Sequence, residues 1–147
     1  MGEWIDASIR VGGRIRRPDA EELVDQLECW NLTPGGDGDP IKLFHLTQPL
    51  AVFRGLVNYG NLDELTDWCD QHGLDWEHWC DSGPEWSPLI RRRVAGEYDE
   101  LICDVENEPM ISIKELIKLD ALATGWAELH ARIRAWAVPV PPLEIVP

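Results

Sequence analysis

The sequence predicts an α+β fold: a single domain with a mixed, mostly antiparallel sheet and helices packed on it, in the order β-α-β-α-β-β-β-α. Three observations carry this. Ile5, Ala7, Ile9 and Val11 alternate with Asp6, Ser8 and Arg10, the period of a strand with one buried face. Ala20, Leu23, Val24 and Leu27 follow at helical spacing behind Pro18, which suits a first helical turn because its missing N–H would be unpaired there anyway. Two strand-like runs, 89–94 and 98–105, flank Ala95-Gly96-Glu97 as the arms of a hairpin. At 147 residues one domain, 1–137, can bury a core without staples, and a proline-rich extended tail covers 138–147.

Taken in order, Gly12-Gly13 is expected to end the first strand. Asp19, Glu21 and Glu22 occupy the first turn of the first helix, where the helix dipole favours acids, and Trp30 closes its inward stripe. Residues 33–40 read as a loop; Asp37-Gly38-Asp39 lacks the further ligands and the closing Glu of a calcium loop. A strand interrupted near Gly55 follows. Asn61 and Glu64 then have the spacing of a capping pair, with Leu62, Leu65, Trp68 or Cys69, and His72 facing inward and Gly73 as the stop. Residues 74–81 alternate again, placing Leu74, Trp76, His78 and Cys80 on one face and Asp75, Glu77 and Trp79 on the other.

Ser82-Gly83-Pro84 breaks the chain before the hairpin. Arg91-Arg92-Arg93 on its first arm should pair with Asp99, Glu100 and Asp104 on its second, a structural use of the triplet rather than a nucleic-acid contact. Ser112 and Glu115 form a capping box. Beyond it Leu119, Leu122, Trp126, Leu129, Ile133 and Trp136 make an apolar seam on one helix, or on two joined near Asp120. That seam fits the sheet, with a homodimer as the alternative.

Charge narrows the function classes. Twenty-seven acids against thirteen bases leave −14, which disfavours direct binding to nucleic acid or to an anionic membrane and favours a basic protein partner. At 44% hydrophobic residues the chain is not a disordered acidic tail. The start lacks the basic and apolar regions of a signal peptide, and no apolar run is long enough to span a membrane. With four cysteines that a domain of this size does not need as disulfides, a reduced cytoplasmic setting is expected.

The densest signal is the stretch 55–90, which holds eight carboxylates and four tryptophans without one Lys or Arg. Glu85 and Trp86 lie in it. Aromatic surface beside unbalanced charge suits a partner-binding face, and the expected contact residues are Asp63, Asp67, Asp70, Asp75, Glu77 and Trp79. Cys69-x-x-His72 and His78-x-Cys80 match the inventory of a tetrahedral zinc site, but each pair falls on an inferred apolar face where Cys acts as a small hydrophobe; no metal or cofactor is expected. No nucleophile elbow or phosphate loop is present, so the expectation is a binding protein and not an enzyme.

In this general character the chain resembles the small acidic inhibitors that phages and mobile elements direct against host defence, the anti-CRISPR proteins among them. The resemblance covers overall character and transfers no functional residues. It implies occupation of a basic nucleic-acid channel by mimicry, with carboxylates engaging the Lys and Arg that hold phosphates. An antitoxin or immunity protein facing a cationic toxin is the alternative, and a small enzyme or zinc protein a second.

Overall fold

Strand β1 (Trp4–Arg16) is the axis of the molecule, pairing with three other strands. Its odd-numbered residues Ile5, Ala7, Ile9, Val11 and Ile15 are buried, as the alternation requires. The computed structural model describes residues 3–83, 87–104 and 106–147; Pro84, Glu85, Trp86 and Val105 fall outside them. Gly12-Gly13 does not end the strand. A Cβ on Gly12 would stand 1.8 Å from the Pro141 carbonyl oxygen, so glycine is there to let the C-terminal segment cross β1.

Helix α1 (Arg17–Cys29) buries Ala20, Leu23 and Leu27 as expected. It stops where Asn31 turns left-handed (φ 59°) and Leu32 N–H reaches back to Leu27 O. After the two-residue β2 (Thr33–Pro34) and one-turn α2 (Leu43–Leu46), β3 (Phe53–Asn58) runs unbroken through Gly55. Helix α3 (Asp63–Gln71) starts with Asn61 Oδ1 accepting from Asp63 N–H at 2.8 Å, one turn position earlier than the expected cap to Glu64. Gly73 (φ 67°) ends it. Strand β4 (Asp75–Cys80) leads to the hairpin β5 (Leu89–Val94) and β6 (Glu97–Cys103), joined by a left-handed Ala95-Gly96 pair. A short β7 (Pro109–Met110) follows, then α4 (Ile113–Asp120), α5 (Gly125–Ala137) and β8 (Leu143–Val146).

The strands form one open, mostly antiparallel sheet in the order β2-β3-β1-β4-β5-β6-β7, with β8 parallel to the end of β1. The fold is α+β. Residues 143–146 of the proline-rich tail are thus a strand of the domain: Pro139, Pro141 and Pro142 hold the approach extended, and Leu143 is buried against the core.

The two sheet faces are covered at opposite ends. Over β3, β1 and β4, one face packs Ile9, Phe53, Val57 and Trp76 against Leu23 and Leu27 of α1 and Leu65 and Cys69 of α3. Over β4, β5 and β6 the other face packs Trp79, Ile90, Leu101 and Cys103 against Trp136 of α5. Only Gly125 and Leu129 of α5 are buried, and no residue of α4 is, so most of the expected seam does not reach the sheet. The break at 121–124 splits it between two short helices.

Candidate functional site

The Arg triplet of β5 decides what the expected contact residues do. Cross-strand neighbours place Arg92 beside Asp99 and Arg91 beside Glu100, but the ion pairs formed are others. Arg91 Nη2 lies 2.7 Å from Asp63, Arg92 Nε 3.7 Å from Glu77, and Arg93 Nη1 3.6 Å from Asp70. Asp99 is taken by α5, receiving Arg132 Nε–H at 2.6 Å and Trp136 Nε1–H at 2.6 Å. Burial pushes the Asp99 carboxyl up, but these donors and the Glu100 N–H outweigh it and hold it below the usual range.

Three of the five expected contact acids, Asp63, Asp70 and Glu77, therefore face internal guanidinium groups. Asp75 is half-buried and accepts from Ala95 N–H at 3.1 Å, pinning the hairpin turn. Asp67 remains exposed. Trp79 is half-buried in the α5 cluster, with the Arg54 guanidinium 5.5 Å from its ring centroid, so it is not an open anchor. The strand face carrying Asp75, Glu77 and Trp79 is half-buried, with each of the three held by neighbours within the domain.

The coincidence of tryptophan and acid in the sequence has a structural source. Trp68 Nε1–H donates to Glu22 at 2.9 Å, Trp76 to Asp70 at 2.8 Å, Trp126 to Asp120 at 2.9 Å, and Trp136 to Asp99. A buried indole needs an acceptor for its one polar atom, and a carboxylate at the domain surface supplies a charge-assisted one. Trp68 and Trp76 are 8% and 2% exposed, which removes them from any contact surface.

One acidic surface survives this sorting. The Trp68–Glu22 bond and the approach of His72 Nε2 to Asp19 at 3.9 Å lay α3 beside α1, with residues 19 and 22 of one against 72 and 68 of the other. The two helices therefore run antiparallel where they meet. The outward positions Glu21, Glu22, Asp25 and Glu28 of α1, and Asp63, Glu64 and Asp67 of α3, are all exposed carboxylates. Their bases are Arg17, 3.8 Å from Glu21 at the edge, and Arg91 at Asp63. The missed signal was a second base-free run: residues 18–41 hold seven acids and no Lys or Arg. Glu97, Glu100, Glu106 and Glu108 on β6 and its turn to β7 are also exposed, but Glu97 and Glu100 point to opposite faces of one strand and form no common surface.

The zinc inventory does not assemble among the described residues. Cys69 is fully buried and its thiol is pushed up to about 12 by desolvation and then by Asp70. His78 accepts Arg91 Nε–H on Nδ1 at 2.8 Å, and burial with the Arg91 charge lowers it to about 3. The metal-ligand types that do converge among the described residues are Asp19, Glu22 and His72, within 4.8 Å of one another. His72 Nδ1–H donates to Trp68 O at 2.8 Å, leaving Nε2 toward the carboxylates, but one Glu22 oxygen already accepts from Trp68.

No family model, no curated protein and no solved structure matches this chain. Among the described residues no helix is long and apolar enough to cross a membrane.

Proposed function

We propose that the protein is a non-enzymatic binding protein of the cytoplasm whose α1–α3 acidic face occupies the cationic surface of a nucleic-acid-handling protein and blocks it. The observation that carries this reading is a pair of base-poor helices that meet at Trp68–Glu22 and His72–Asp19, with seven exposed carboxylates at their outward positions. Carboxylates on adjacent helical turns repeat about every 5–6 Å. Such a fixed anionic array can engage Lys and Arg that otherwise hold phosphates. Like charges at i,i+3 and i,i+4 also destabilise a helix by about 0.2–0.5 kcal/mol per pair, a cost that a merely solubilising surface avoids by mixing signs. The reading fits the anti-CRISPR type of inhibitor in character, and it moves the contact from β4 to the helices: Asp63 and Asp67 stay in it, while Asp70, Asp75, Glu77 and Trp79 leave it.

Immobilised protein should retain from a low-salt lysate a basic nucleic-acid-binding protein that elutes as salt rises. Added back, the free protein should displace labelled DNA or RNA from that partner. Recovery of a partner that binds no nucleic acid, or no displacement, would reject inhibition by mimicry.

A further inference from the structure

We propose that the α4–α5 hairpin is the interface of a twofold homodimer. Helix α4 buries no residue, yet four of its eight positions are apolar. Ile113 and Ile117, 71% and 64% exposed, stand one turn apart on one face. Asp120, the next residue of that row, holds the half-exposed Trp126 indole through its N–H, so the apolar strip continues across to α5. Leu122 and Ile133 are also more than half exposed. Together these five side chains present on the order of 500 Å² of apolar surface, near the upper end of what a monomer leaves open. With the aliphatic stems of Lys114, Lys118 and Arg134 they approach the roughly 800 Å² per partner of a stable interface.

Charge selects the occupant. Residues 112–138 carry four bases and three acids, whereas the rest of the chain carries nine bases and twenty-four acids. The hairpin is thus the part of a strongly anionic molecule that a second copy can approach without repulsion. A basic partner has no reason to prefer it. The charges along α4 are self-complementary: in an antiparallel twofold contact centred on Ile117, Lys114 of one copy comes opposite Asp120 of the other, three residues either side of the centre. That pairing fixes register while the isoleucines supply the apolar contact.

This inference stands apart from the acidic-face reading, because salt acts on the two in opposite directions. Screening weakens attraction to a cationic partner but relieves repulsion between two anionic copies. Sedimentation equilibrium on the full chain should give a species of twice 16.7 kDa at micromolar concentration, with a dissociation constant that falls as salt rises. Ile113→Ser with Ile117→Ser, both at exposed positions, should raise that constant at least about tenfold, with unchanged circular dichroism. Leu56→Ser, at an apolar residue 58% exposed on the open sheet face, should leave it unchanged. A monomer at every concentration and salt, or a dimer that survives the Ile113/Ile117 double change, would overturn the proposal.

Discussion

Arg92→Met removes a guanidinium whose side chain is only 4% exposed, and should cost about 3–5 kcal/mol, the usual penalty for stripping one partner from a buried charged group. The Nη1–H donates to Trp136 O at 2.9 Å and the Nη2–H to Val138 O, so the side chain caps the end of α5, where carbonyls have no intrahelical donor. Each charge-assisted bond is worth about 1.5–3 kcal/mol. The group also lies 5.2 Å over the Trp136 ring and balances Glu77, itself 25% exposed. Methionine keeps the apolar stem, so the loss reports on the charged head. Urea denaturation should show a lower midpoint at unchanged slope. Glu77→Gln in the same chain should recover part of the loss, since the orphaned carboxylate is gone, with a coupling on the order of 1 kcal/mol. A loss under about 1 kcal/mol, or no coupling to Glu77, would refute the structural role of Arg92.

Trp76→Phe should cost about 2–3 kcal/mol because Asp70 loses a buried N–H donor, whereas Trp126→Phe, at an exposed indole, should cost less than about 1 kcal/mol by the same denaturation. His78 folds neutral with its pKa lowered to about 3 while the unfolded chain titrates near 6.5, so between those values the unfolded state binds the extra proton. Its contribution to stability is therefore present above pH about 6.5 and lost as pH falls toward 3, by up to about 1.4 kcal/mol per pH unit; an NMR titration of the ring with a midpoint near 6.5 would contradict this. Of the four thiols, exposed Cys29 should react with a disulfide reagent in the native protein and Cys69, Cys80 and Cys103 only on unfolding, since burial raises all three buried thiols.

The parts of the fold that repeat locally were legible in the sequence. Alternation at Ile5–Val11 and 74–81, the stripe of α1, and the arms of the hairpin each declare themselves within a few residues. What was not legible depends on distant chain. β1 continues through Gly12-Gly13 because β8, more than 120 residues away in sequence, pairs with its far end. The apolar seam of 119–136 has helical period throughout, and nothing in that period tells a face packed on the sheet from one left open. The same limit applied to the site. Tryptophans among acids read as an interface, but an indole bonded inward to a carboxylate leaves the same composition behind, as Trp76 and Asp70 do. Arg91, Arg92 and Arg93 do pair with carboxylates, but with Asp63 and Asp70 of α3 and Glu77 of β4, while Arg132 of α5 holds the Asp99 that stands across from Arg92.

Where the carboxylates stand, beyond how many there are, is the point on which the functional reading turns. The direct measurement is binding of the salt-eluted partner, by calorimetry at low ionic strength, to two variants that each lose four negative charges. One changes Glu21, Asp25, Glu64 and Asp67 on α1 and α3 to amides; the other changes Glu97, Glu100, Glu106 and Glu108 on the β6–β7 side. Steering and contact from the helix face require the first variant to bind at least about tenfold more weakly and to show a shallower salt dependence, while the second shifts by less than about threefold. The first should also be the more stable fold by about 1 kcal/mol, having shed its like-charge helix pairs. Equal losses in both variants would show that net charge alone attracts the partner, and an unchanged affinity in the first would remove the α1–α3 face from the interaction.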